Sequence, residues 1–223
     1  MKLPRTMLLI TFGLLPAVSI ADLSANVGMV SDYVFRGVFQ EDASASAGLD
    51  YAHDNGLYVG TWAADVGDGI ETDLYFGYGG EAGDFSYAIG YTGYFYSDLF
   101  DQTYTELNLS LGYSLLTLDV ALGDYDIPDP TGDDYRFTSL TLEIPNGPYL
   151  TYGSWGDEFD GDYFEFGYGF EWQGLGLSIA LITSDDVQGP TSPLSSIILS
   201  EDGDGSAETA LVFGFSRSFA VGE

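Results

Sequence analysis

From residue 22 onward, apolar and polar positions alternate with period two along almost the whole chain, and turn residues interrupt the alternation at regular intervals. That pattern predicts half-buried β-strands, and no stretch sustains a helical period for more than a turn or so. Twelve strands are predicted, at 23 to 37, 45 to 53, 57 to 66, 71 to 80, 85 to 96, 104 to 114, 116 to 124, 135 to 144, 149 to 156, 162 to 172, 175 to 184 and 206 to 219. After the odd-numbered strands the connections read as longer and acidic. After the even-numbered ones they are tight, as at Asp54-Asn55-Gly56, Ser114-Leu115 and Gln173-Gly174. One short-looped end, one long-looped end and an even strand number are the marks of an antiparallel up-and-down transmembrane β-barrel. Both termini then fall at the short-turn, periplasmic end. Ten or fourteen strands fit the pattern less closely.

The two faces of each predicted strand differ sharply. In the tenth, Phe164, Phe166, Tyr168, Phe170 and Trp172 oppose Glu165, Gly167, Gly169 and Glu171; in the sixth, Leu107, Leu109, Leu111 and Tyr113 oppose Glu106, Asn108, Ser110 and Gly112. Asp32, Asp50, Asp73, Asp119, Glu143 and Glu208 likewise fall opposite their strand's apolar series. A carboxylate facing acyl chains is costly, so this sorting is what a lipid-facing outer wall demands. A soluble sandwich or lipocalin-like barrel also alternates, but its solvent face carries Lys and Arg freely, and these polar faces carry almost none. Phe35, Phe85, Tyr96, Trp155, Trp172 and Phe219 are expected to form interfacial girdles on the outer wall. A charge at Leu109 or Phe166 should therefore impair insertion, while one at Ser110 or Gly167 should be tolerated better.

The first 21 residues change the setting. Lys2 and Arg5 precede an apolar run from Met7 to Leu15 and a small-residue end at Ser19-Ile20-Ala21, the layout of a cleavable secretory signal peptide. The run is too short to span a bilayer as a helix. The expected domain organisation is a signal at 1–21 and one barrel at 22–223, delivered to the outer membrane of a Gram-negative bacterium. Without Lys2 and Arg5, only Arg36, Arg136 and Arg217 stand against 35 acidic residues, which excludes nucleic-acid binding. The chain has no cysteine, so neither disulfides nor thiolate metal sites contribute. No cofactor motif is present.

The stretch Ser31-Asp32-Tyr33-Val34-Phe35-Arg36-Gly37-Val38-Phe39-Gln40 resembles the opening signature of a proteobacterial family catalogued as Gcw_chp, whose members also carry the label of TorF-type candidate porins. Gly48-Leu49-Asp50-Tyr51, Gly56-Leu57-Tyr58-Val59-Gly60-Thr61-Trp62, Glu71-Thr72-Asp73-Leu74-Tyr75-Phe76-Gly77-Tyr78, Gly90-Tyr91 and Thr105-Glu106-Leu107 follow in order over the first half of the mature chain. The family's usual Ser-Gln after the Arg-Gly unit is Phe39-Gln40 here, and the acidic excess is larger than in a typical member. The resemblance implies an outer-membrane location and a porin role, and brings no catalytic residues.

The candidate functional residues line the lumen: Asp32, Arg36, Asp50, Asp73, Glu106, Asp119, Glu143, Glu165 and Glu171. Arg36 is expected on a lumen-facing strand position, paired with a neighbouring-strand acid such as Asp50 or Asp73. It is either a constriction charge that sets a transverse field or a buried pin in a filled lumen. A wet acid lining attracts cations, whereas a dry one requires protonated or hydrogen-bonded carboxyls. Most of the other acids fall in the long loops, including Asp124 to Asp134, Asp157 to Asp162 and Glu201 to Asp204. Asp202 and Asp204 are weak metal candidates, since Asp202-Gly203-Asp204-Gly205 lacks the twelve-residue calcium pattern. His53, the sole histidine, falls at a turn, and no catalytic set forms around it. The closing strand, with Phe213, Phe215 and Phe219, is of the kind read by the barrel-assembly machinery, although Phe215 and Phe219 also suit a lower girdle. The function expected is passive diffusion of small hydrophilic solutes, cations preferred, with membrane lipid and lipopolysaccharide as neighbours. The alternative is a sealed barrel with a structural, adhesive or surface-charge role.

Overall fold

The structure, a computed structural model, describes residues 22–97, 101–126, 133–188 and 208–221. Twelve antiparallel strands close into one barrel: β1 (Asp22–Val30), β4 (Ala45–Ala52), β5 (Leu57–Asp65), β6 (Ile70–Ala82), β7 (Phe85–Tyr96), β8 (Thr103–Tyr113), β9 (Leu116–Asp126), β10 (Asp133–Glu143), β11 (Pro148–Asp157), β12 (Asp160–Trp172), β13 (Leu175–Gln188) and β14 (Glu208–Val221). Each strand pairs with its sequence neighbour, and β1 closes the ring by pairing with both β4 and β14. Leu23 lies opposite Val221, so the barrel's first and last strands meet at the end that carries the tight turns. Those turns use residues that reach the left-handed region, Gly56, Ser114, Gly147 and Gly174 among them.

Closure explains the alternation. Leu109, Phe166 and their counterparts point outward, and Phe76, Phe85, Leu111 and Trp172 are each about 60% exposed. An apolar belt that encircles the molecule on this scale suits hydrocarbon and not water. Of the expected girdle, Phe85, Trp172 and Phe219 are outward. Phe35, Tyr96 and Trp155 are not: all three pack inside the barrel. Trp155 shares its face with Tyr149, Thr151 and Gly153, which are lumen residues, so an aromatic near a strand end does not by itself indicate the lipid side.

The other departures are local. The predicted first strand, 23 to 37, stops at Val30. Asp32–Phe35 (β2) and Val38–Asp42 (β3) form a separate two-stranded hairpin. Two connections expected to be long are short, since β5 and β6 are separated by residues 66–69 and β11 and β12 by residues 158–159.

Inside the wall, five tyrosines each lie over a glycine directly opposite on the neighbouring strand: Tyr58 over Gly77, Tyr75 over Gly60, Tyr135 over Gly123, Tyr149 over Gly167 and Tyr163 over Gly153. A Cβ at Gly167 would stand 2.1 Å from the Tyr149 ring. The glycine supplies the room and the ring supplies the missing side-chain contact, a known remedy for glycine in strands. Gly167 is therefore not a roomy luminal position, contrary to the reading from alternation alone. Gly167→Ala is expected to cost about 1–3 kcal/mol through overpacking. Urea unfolding midpoints in lipid vesicles test this, and an unchanged midpoint would mean that the ring can move aside freely.

Candidate functional site: a hairpin docked inside the barrel

The hairpin folds into the lumen. Its neck is fixed at the long-loop end, where Val30 N donates to Ser44 O (2.9 Å), Ala43 N to Ser31 O (2.7 Å) and Ser44 Oγ to Asp65 O (2.6 Å). Arg36 and Gly37 make the turn with φ of 51° and 84°, the positive pair that a two-residue turn of twist-compatible type requires. Gly37 also presses on the Tyr163 ring, which a Cβ would approach to 2.9 Å. Tyr33 and Phe35 pack with Ala64, Val66, Trp62 and Tyr96, while Val34 packs against the cluster of Ala121, Phe137, Tyr163, Ala180 and Ile182. The hairpin thus reaches wall residues from β5 to β13. It places an aromatic core in the lumen at the long-loop end.

The tip is held by polar groups. Trp155 Nε1 donates to Arg36 O (3.0 Å) and Ser184 Oγ to Gly37 O (2.6 Å). The Arg36 guanidinium meets Glu106 as a fork, Nη1 to Oε1 at 2.5 Å and Nη2 to Oε2 at 3.0 Å. Glu106 also accepts from the hydroxyls of Tyr94 (3.0 Å) and Tyr135 (2.8 Å). The guanidinium carbon lies 4.5 Å from the Phe137 ring centre, 4.7 Å from that of Phe35 and 5.7 Å from that of Trp155. Glu106 is 1% exposed and Arg36 11%. Charge-assisted forks are strong, and removal from water makes either partner costly to leave alone.

The expected site residues fall into three places. Asp32 and Arg36 belong to the hairpin and not to the barrel wall, and Asp32 accepts a hydrogen bond from Ser31 Oγ (2.6 Å). Asp73 and Glu106 face inward at the hairpin's level, and both are buried. Asp50, Asp119, Glu143, Glu165 and Glu171 lie nearer the tight-turn end, with Glu171 exposed. The partner of Arg36 is Glu106, not Asp50 or Asp73 as strand spacing had favoured, because the arginine leaves the wall and crosses the lumen.

Four of the inward acids, Asp50, Glu71, Glu106 and Glu165, are met by a tyrosine hydroxyl. Asp50 accepts from Tyr75 and from Asn26 Nδ2 (3.0 Å), and Glu165 accepts from Tyr149. Glu71, the first residue of the predicted fourth strand but not among the candidate site residues, is buried at the hairpin's root and accepts from Tyr33 (2.7 Å). Asp73 differs: its Oδ1 is buried without a hydrogen-bond partner. The sequence reading missed Tyr33, Glu71, Tyr94, Tyr135, Phe137 and Trp155. For the five on the wall the signal was the parity they share with luminal residues of the same strand; Tyr33 has the parity of the outward residues and gave none.

Among the described residues, no group of three His, Asp or Glu side chains is placed to hold a metal ion. The metal candidates Asp202 and Asp204 lie outside the described residues. His53 Nδ1 accepts from Asn55 N (3.2 Å) and so serves its turn.

Residues 16–184 match the profile of Gcw_chp, described as a bacterial protein of unknown function. The chain belongs to the Gcw_chp family. No curated protein matches it. Among solved structures, this Gcw_chp protein is similar to a KdgM porin at a TM-score of 0.58, with 9% identity over 88% of this chain and 99% of that one. The KdgM porin in complex with disordered oligogalacturonate gives 0.54, again at 9% identity, over 89% and 99%. A structure from a study of the in-meso crystallization of membrane proteins gives 0.59 at 10% identity, over 90% and 84%. At such identities the shared feature is the barrel fold.

Proposed function

We propose that this Gcw_chp protein is an outer-membrane channel for small hydrophilic solutes, constricted from within by the 31–44 hairpin, as the porin label of its family resemblance implies. Residues 1–21 serve as the signal that exports it. The observation that carries the reading is the docked hairpin. A segment fixed at its neck and held at its tip by one ion pair and two hydrogen bonds to backbone carbonyls is a constriction that can be displaced. The remaining lumen favours cations. Arg136 and Arg217 lie on exposed positions of the outer face, and Arg36 is matched to Glu106, so no basic side chain among the described residues balances Asp50, Glu165 and Glu171. An acid-lined passage raises the local concentration of cations and repels anions.

Planar-bilayer recording across a salt gradient tests both parts. Single-channel steps with a cation-selective reversal potential are expected. An anion-selective reversal would overturn the lining argument, and a complete absence of steps, also after the hairpin is removed, would overturn the channel. A second reading, a sealed barrel acting through its surface, is favoured by the burial of Glu71, Asp73 and Glu106 under the hairpin. It predicts the same silence in both proteins.

A further inference from the structure

The groups around the Arg36 head come from the wall as well as from the hairpin. Glu106 offers both carboxylate oxygens in one plane, and the rings of Phe137 and Trp155 flank the guanidinium. Tyr94 and Tyr135 hold the carboxylate in that orientation. These residues sit on β7, β8, β10 and β11, strands of the closed ring and not of the hairpin. Asp73, whose Oδ1 has no hydrogen-bond partner, lies within electrostatic reach of Glu106 and Arg36. A planar cation with parallel N–H donors fits such a fork better than a spherical one, and its weaker hydration lowers the cost of entering between rings.

We propose that this wall cage is a guanidinium-binding site in its own right, that the hairpin closes the lumen by inserting its own guanidinium there, and that solutes bearing a guanidinium or amidinium group compete for it. The proposal rests on the channel reading for its consequence, because displacement of Arg36 frees the hairpin tip. The tethered arginine acts at an effective concentration on the order of millimolar, so a free solute must reach that range to compete. Selection would then act on the solute's head group and not on charge alone.

The test uses the refolded full barrel in detergent, with Arg36→Ala to vacate the cage and methylguanidinium as the probe. Arg36→Ala is expected to lower the thermal midpoint of β-structure loss. Methylguanidinium at tens of millimolar should recover at least half of that loss, whereas sodium or tetramethylammonium at equal ionic strength should not. In Arg36→Ala/Glu106→Gln the recovery should vanish. If Arg36→Ala does not refold, the yield on refolding with methylguanidinium replaces the midpoint as the readout. Equal responses to methylguanidinium and sodium, or a recovery that persists without the Glu106 charge, would overturn the cage. Conductance of the same variants separates the two readings. Midpoint recovery without single-channel steps leaves the cage standing and removes the channel, while steps without recovery do the reverse.

Discussion

Glutamine in place of Glu106 is expected to lower the barrel's resistance to urea by about 3–5 kcal/mol, the usual cost of removing one member of a buried ion pair. Arg36 cannot shed its charge to relieve the loss. The faces of Phe35, Phe137 and Trp155 remain, but cation–π contacts are worth only about 0.5–2 kcal/mol each. Either the guanidinium stays and stability falls, or the hairpin undocks and the lumen widens. Urea titration in lipid vesicles reads the first outcome and single-channel conductance the second. Replacing the pair together, as Arg36→Met with Glu106→Leu, should regain only part of the stability: the unpaired charge is gone, but the buried hydroxyls of Tyr94 and Tyr135 lose their acceptor, at about 1–3 kcal/mol each. A Glu106→Gln barrel within about 0.5 kcal/mol of the parent, the range of an ordinary surface substitution, and with unchanged conductance, would show that the fork does not hold the hairpin.

The second large effect concerns the outer wall. Leu109 stands at the middle of β8 with Ile89 and Val120 opposite it on the two neighbouring strands. Leu109→Arg places a charge in hydrocarbon at that depth and is expected to cost about 2–4 kcal/mol. One residue on, Ser110 faces the lumen opposite Asp119, and its own hydroxyl is buried. Ser110→Lys brings a cation to that carboxylate and is expected to cost distinctly less. Folding into vesicles, followed by the slower migration of unfolded chains on cold electrophoresis, compares the two. Equal losses would mean that the belt does not face lipid.

Strand number and face assignment were legible because both depend on nearest-neighbour alternation, which a closed sheet in lipid enforces at every step. The tight turns were legible for the same local reason, since pairs such as Gln173-Gly174 mark them directly. The hairpin was not. Residues 31 to 37 keep Asp32 and Arg36 on one parity and Tyr33 and Phe35 on the other, with only Ser31 and Val34 out of pattern, and such a pattern cannot tell a strand in the wall from one folded across the lumen. That error carried others with it. Phe35, Tyr96 and Trp155 were assigned to the outer girdle because they stand near strand ends, and a filled lumen takes aromatics there as well. Glu71 was not among the candidate site residues because its burial depends on Tyr33, which reaches it only once the hairpin has turned inward.

What the sequence by itself determined is therefore the wall: an all-β chain of twelve alternating strands with an apolar outer face and acids kept off it. The tertiary structure alone decided what fills that wall. The partner of Arg36 stands 70 residues away on the far side of the barrel, and the tyrosines that meet the luminal acids do so across strands and not along them. Periodicity records the face a side chain takes on its own strand. Which groups meet across a lumen depends on how the ring closes and on which loop turns back into it.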